Sequence, residues 1–159
     1  MNFIKLYTFL AFKEWDLKKT IKLKTEYKYD FHLFGIMSKS KEYALSWSIN
    51  ESSGMELKKM DDLEIDIKNE QKLTISNYQY QTESSQYYLV GNRLVGDENN
   101  GHVLLAPSLK TFDYLLKVET ENEEEEVSSI YSLIRNAVNV ESIVKLDVSK
   151  VKEKENFFF

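Results

Sequence analysis

The chain predicts an α+β fold: a mostly antiparallel sheet with two helices packed on one face, related to the ferredoxin-like sandwich and enlarged by an extra hairpin. Three observations predict it. Two segments, Tyr43–Ile49 and Val127–Val138, repeat apolar residues at spacings of three and four, the signature of a helix with one buried stripe. Other segments alternate apolar and polar residues with period two, as strands do. The elements run strand, helix, several strands, helix, strand, and each helix needs an apolar sheet face to cover.

Thr20 to Gly35 alternates most clearly. Ile21, Leu23, Tyr27, Tyr29, Phe31 and Leu33 share one side, and Lys22, Lys24, Glu26, Lys28, Asp30 and His32 share the other, which reads as a strand with one wet face. Gly35 ends the pattern. Ser38 or Ser40 then offers a cap for a helix over Lys41–Ser52, with Tyr43, Ala44 and Trp47 on its core face, widened by Leu45 and Ile49. Gly54 suits the left-handed residue that follows a helix. Asp61, Asp62, Glu64 and Asp66 alternate with Leu63, Ile65 and Ile67, which suggests an irregular or edge segment.

Lys72–Tyr80 and Gln86–Leu94 read as two strands that place Tyr78, Tyr80, Tyr87 and Tyr88 in position to pair. The run Gly96-Asp97-Glu98-Asn99-Asn100-Gly101 is turn chemistry, and His102–Leu105 returns until Pro107 stops the strand. Phe112–Glu119 is another strand, with Phe112, Tyr114, Leu116 and Val118 on one side and Asp113, Lys117 and Glu119 on the other. Asn122 and Glu125 form a capping box for the second helix, and Glu123–Glu126 sit where the helix dipole favours negative charge. Val140–Val148 is the last strand. Residues 1–17 form an N-terminal extension, 18–149 a single domain, and 150–159 a charged tail ending in Phe157-Phe158-Phe159.

Composition bounds the function. Leu, Ile, Val and Phe supply 47 of 159 residues, well above the roughly 20% below which a charged chain stays disordered. There is no cysteine, so thiol catalysis and cysteine-based metal sites are excluded, and a reducing setting is expected. The formal net charge is −5, and only Arg93 and Arg135 are arginines, which argues against a nucleic-acid partner. No run reaches the roughly 18 apolar residues of a membrane span. Phe3–Phe12 is broken by Lys5, Tyr7 and Thr8 and lacks a small-residue cleavage site, so it reads as an N-terminal strand, or as residues ahead of the true start, rather than as an export signal.

No reactive motif stands out. His32 and His102 are the only histidines, and they lack partners at metal-binding spacing. The five glycines never cluster into a phosphate loop. The acidic run Asp61–Asp66 lacks the glycine and distal glutamate of a calcium loop. The expectation is therefore no catalytic residue, no cofactor and no metal. The residues singled out for interaction or ligand contact are Trp47, Asp113, Tyr114, Phe157, Phe158 and Phe159. Trp47 reads first as core. Asp113 reads as a charge that fixes the strand after Pro107. The three phenylalanines must fold back onto the core or dock on another chain.

Three passages resemble the IPExxxVDY family of bacterial proteins. Tyr29-Asp30-Phe31-His32-Leu33-Phe34-Gly35-Ile36 looks like its first strand and Lys41–Asn50 its first helix, with Met60-Asp61-Asp62-Leu63-Glu64 at a similar interval. The naming motif falls on Ala106–Tyr114, where Pro107, Asp113 and Tyr114 match while Ala106, Ser108 and Phe112 replace Ile, Glu and Val. The resemblance implies a cytoplasmic bacterial protein and carries no activity. The reading that emerges is a non-enzymatic module that binds a protein partner or a second copy of itself. Alternatives are a ferredoxin-like domain that senses a small molecule, and a hydrolase whose carboxylates Asp30, Asp61, Asp62 or Asp113 converge only in three dimensions.

Overall fold

The structure is a computed structural model and describes residues 29–67, 71–95, 103–121 and 123–159. The N-terminal extension, the alternating residues 20–28, the turn 96–101, His102 and the expected cap Asn122 lie outside the described residues. The elements are β1 (His32–Met37), α1 (Glu42–Ser53), β2 (Lys58–Lys59), β3 (Leu63–Ile67), β4 (Gln71–Ile75), β5 (Asn77–Gln81), β6 (Ser85–Gly91), β7 (Tyr114–Thr120), α2 (Glu123–Ile134) and β8 (Ser142–Leu146).

The fold is α+β. Six strands form one antiparallel sheet in the order β2-β5-β6-β7-β1-β8. Within it, β1, α1, β6, β7, α2 and β8 make the ferredoxin-like core, with β8-β1-β7-β6 side by side. The strands β5 and β2 extend that sheet beyond β6, and β3 and β4 pair as a separate two-stranded sheet. Both helices pack on one face: Leu45 and Ile49 of α1 and Val127, Ile130 and Ile134 of α2 join Phe34, Ile36, Leu116 and Val118 in one buried cluster.

The other face is not wet. Leu33, Val90 and Leu115 lie in a second core with Ile65, Leu73 and Ile75 of the β3–β4 hairpin and with Val148, Val151 and Phe157. The sheet is thus the middle of three layers. This corrects the reading of β1 as a strand with one solvated face: Leu33, Phe34 and Ile36 are all fully buried. A central strand with both faces covered loses its polar alternation, and β1 is flanked by β7 and β8. The charged alternation belonged to residues before His32. Residues 148–159 pack into this second core through two short 3₁₀ turns, Val148–Lys150 and Lys154–Phe157.

Helix α1 also turns further than its pattern suggested. Its buried residues are Leu45, Ser46, Ser48 and Ile49, while Tyr43 and Trp47 are 66% and 62% exposed. Trp47 is therefore not in the core. The serines can be buried because each hydroxyl bonds its own helix, Ser46 to the Tyr43 carbonyl and Ser48 to the Leu45 carbonyl. Neither Ser38 nor Ser40 caps the helix: Lys41 is the N-cap and makes no side-chain bond there. Gly54 ends the helix at φ 73°, as expected. Asn50 then brackets Leu57, accepting its N–H at 2.8 Å and donating to its carbonyl at 3.1 Å, which sets the path into β2.

Candidate functional site

The polar chemistry gathers at the end of the sheet where β6 begins and β5 and β7 finish. A cleft of about 690 Å³ opens there. One wall is aromatic: Tyr29, Phe31, Phe158 and Phe159. The rim is acidic: Asp30, Glu83, Glu119 and Glu121.

Lys117 lines this cleft and is 2% exposed. Strand alternation puts it with Leu115 and Glu119 on the face away from the helices, and the second core covers that face. Burying an ammonium is costly unless it is paired, and here two oxygens accept from it and three rings surround it. Nζ lies 2.7 Å from Glu119 Oε1 and donates to the backbone oxygen of Phe159 at 2.8 Å. The rings of Phe159, Tyr88 and Phe31 surround it, with centroids at 4.7, 5.0 and 5.3 Å. Aromatic faces attract cations, more strongly where water is excluded. A second ammonium, that of Lys154, lies 5.2 Å from the Tyr29 centroid. The aromatic wall thus already hosts two cations.

On the helix side of the same sheet end, Glu126 reaches down from α2. Its carboxylate accepts from Ser85 Oγ at 2.7 Å, from Thr120 Oγ1 at 2.5 Å and from the Tyr87 hydroxyl. Burial acts to raise its pKa, but the hydrogen bonds from Thr120, Tyr87 and Ser85 outweigh it and hold the carboxyl below its ordinary value. Burial, with Glu126 alongside, pushes the Tyr87 phenol up. This cluster clamps α2 to β6 and β7. Glu126 therefore does more than favour a helix start.

Asp113 and Tyr114 meet in a different cleft of about 590 Å³, beside the loop that leads into α1. Asp113 Oδ2 accepts from Ser38 N at 3.1 Å, and Oδ1 lies 3.8 Å from Arg93 Nη2. The Tyr114 hydroxyl donates to the Ser40 carbonyl at 2.6 Å. Both side chains hold the 38–41 loop in place. The segment before them is organised by Asn92, which is fully buried. Its Nδ2 donates to the carbonyls of Leu109 and Phe112, and its Oδ1 accepts from Ala106 N. The sequence reading placed Asn92 inside the strand Gln86–Leu94, with no sign of this role.

The structure brings Phe158 and Phe159 together in the first cleft and Asp113 and Tyr114 together in the second. Trp47 lines neither, and Phe157 is fully buried beneath the first. Asp30 lines one cleft and Asp113 the other, so these two carboxylates do not share a site. His32 is half-buried beside Tyr131 and Lys145 in a groove against α2. Among the described residues no group of three or more His, Asp or Glu side chains gathers to hold a metal ion, and no helix is long and apolar enough to cross a membrane. Lys117 and its ring of aromatics were missed by sequence reasoning, which put Lys117 on the polar side of its strand. The apolar company of Leu115, Leu116 and Val118 was the only signal. No family model matches the chain, and no curated protein matches it.

Proposed function

We propose that the protein is a non-enzymatic interaction module, and that its cleft receives a lysine- or arginine-bearing segment of a protein partner in a cytoplasmic setting. The observation that carries this reading is the pairing of an acidic rim, Asp30, Glu83, Glu119 and Glu121, with aromatic walls that already sit over ammonium groups. Carboxylates supply long-range attraction and orientation. Rings supply contact area and cation–π energy at low entropic cost.

The test uses the full chain and two labelled peptides, Ac-Lys-Leu-Lys-Leu-Lys-amide and its glutamate counterpart, followed by fluorescence anisotropy. The basic peptide binds more tightly, and its affinity falls as salt is raised because exposed charges are screened. The triple variant Asp30→Asn, Glu83→Gln, Glu121→Gln loses that preference. Equal affinity for the two peptides, or a variant that binds like the parent, overturns the reading.

A further inference from the structure

We propose that the second cleft, beside the loop that leads into α1, is a binding site for a small sugar phosphate. This site lies at the other end of β5, β6 and β7 from the cleft of the proposed function and is independent of it.

Helix α1 begins without a side-chain cap, because its N-cap Lys41 makes no such bond. The amides of Ala44 and Leu45 both turn back to the Lys41 carbonyl, while those of Glu42 and Tyr43 have no partner among the described residues. An uncapped helix start favours an anion, and many helices offer that much. The floor of the cleft adds what a helix start lacks. Gly91 donates to the Ser76 carbonyl at 3.2 Å and pairs with Tyr114 in register, so Ser76, Gly91 and Tyr114 form one row across the sheet end, and all three line the cleft. Ser76 is only 6% exposed, yet its hydroxyl makes no hydrogen bond among the described residues. Nor is that hydroxyl sealed off: the one enclosed side-chain polar atom without a partner among the described residues is Oδ1 of Asn77. The Ser76 hydroxyl therefore opens into the cleft. Gly91 keeps the space beside it clear, since a Cβ there would stand 3.5 Å from Ser76 Oγ. Leaving a buried hydroxyl unpaired is costly, and a ligand group seated over Gly91 recovers that cost. Ser38 adds a second buried hydroxyl, whose oxygen accepts from Ser40 N at 3.2 Å and whose proton has no acceptor among the described residues.

The charges select the ligand. Lys41 makes no ion pair among the described residues, and Arg93 Nη2 stands 3.8 Å from Asp113, too far to use up its donors. Glu42 and Asp113 line the same cleft, so a bare oxyanion would meet two carboxylates there. A ligand that carries hydroxyl groups as well as an anion turns those carboxylates into acceptors. Its phosphate faces Lys41, Arg93 and the free amides of α1, and its hydroxyls face Ser76 and Glu42. The volume of about 590 Å³ suits a molecule of that size.

The experiment titrates the full chain with D-ribose 5-phosphate, and separately with inorganic phosphate and with D-ribose, followed by calorimetry and by amide NMR shifts. Ribose 5-phosphate binds at least tenfold more tightly than either fragment, and the amides of Glu42, Tyr43 and Gly91 shift most. Ser76→Ala lowers its affinity at least threefold and leaves that for inorganic phosphate unchanged, whereas Lys41→Gln weakens both. If Ser76→Ala fails to fold, as a thermal melt reveals, Lys41→Gln and the map of shifts decide. Equal affinity for ribose 5-phosphate and inorganic phosphate means an adventitious ion only and overturns the proposal. So does the absence of binding, or binding whose shifts gather in the first cleft.

Discussion

Gly35 lies under the ring of Phe112 so closely that a Cβ added to it would fall 2.5 Å from Cγ of that ring. Gly35 is paired with Leu115 on one side and Val144 on the other, so its backbone cannot retreat. The ring must move instead, and Phe112 is held by the loop that Asn92 organises. We expect Gly35→Ala to destabilise the fold by about 1–3 kcal/mol, the usual cost of overpacking a core. Chemical denaturation measures it. Phe112→Leu should relieve part of that cost, so the two changes combine to less than their sum. A Gly35→Ala protein as stable as the parent would show that the contact is loose.

Three consecutive phenylalanines should behave differently. Phe157 is fully buried in the second core, and truncating a buried phenylalanine costs about 3–5 kcal/mol through lost transfer energy and the cavity left behind. Phe158 is 63% exposed, its side chain lies against the rings of Tyr29 and Phe31, and its backbone bond to Glu155 survives truncation, so Phe158→Ala should cost under about 1.5 kcal/mol, the upper range for an aromatic pair. Urea midpoints of the two variants decide the matter, and similar losses would contradict the burial described above.

Which parts of this arrangement were legible follows from what periodicity reports. Period two and period three-to-four reveal which residues share a face, so both helices, Gly54 and the strands carrying Tyr87 and Tyr114 could be read. Tyr80 and Tyr87 do stack across strands, with centroids 5.5 Å apart. Alternation is silent about corners. Lys72–Tyr80 reads as one strand, yet β4 ends at Ile75, β5 begins at Asn77, and the two lie in different sheets. The one trace in the sequence is that the apolar positions shift from 73 and 75 to 78 and 80, which the two faces of a single strand explain equally well. Alternation is equally silent about a polar side chain that is buried because it is fully paired. Lys117 and Asn92 look solvated in sequence and are not: besides its neighbour Glu119, Lys117 is held by Phe159, 42 residues away, and the partners of Asn92 lie 14 to 20 residues away. Trp47 errs the other way: its size suggests core, but the aliphatic pair Leu45 and Ile49 claims the buried stripe.

Tyr114 ties β7 to the loop before α1, and its removal should be felt at neutral pH but not in strong alkali. Burial raises its phenol to about 12, with Glu42 and Asp113 adding to the effect. The unfolded value is 10.0. A phenol whose folded pKa is raised contributes stability that is fully present below the unfolded pKa and is lost as pH rises through the folded one. Tyr114→Phe removes the hydrogen bond to the Ser40 carbonyl, which should cost about 0.5–1.5 kcal/mol at pH 7. The gap between parent and variant should close as pH passes from 10 toward 12. Paired thermal melts across that range test it, and a gap that stays constant would mean that the Tyr114 hydroxyl is not the titrating group.

Glu126 has the opposite sign. Burial favours its neutral form, but the donors Thr120, Tyr87 and Ser85 hold its pKa below the ordinary 4.5. A carboxyl depressed in the folded state contributes stability that is present above the unfolded pKa and is lost as pH falls through the folded one. Glu126→Gln keeps the shape but gives up an acceptor oxygen, and its amide can no longer satisfy three hydroxyl donors at once. At pH 7 the variant should be less stable by about 1–3 kcal/mol, the range for leaving a buried hydrogen-bonding group unsatisfied. Below the ordinary carboxylate value the difference should narrow, because the parent's own carboxyl is taking up its proton. Ser85→Ala with Thr120→Val provides the control: with two donors gone, burial should win and the Glu126 carboxyl should titrate at higher pH than in the parent. Carboxyl chemical shifts followed through an acid titration report this directly, and an unchanged midpoint would show that the hydroxyl cluster does not set the charge that clamps α2 to the sheet.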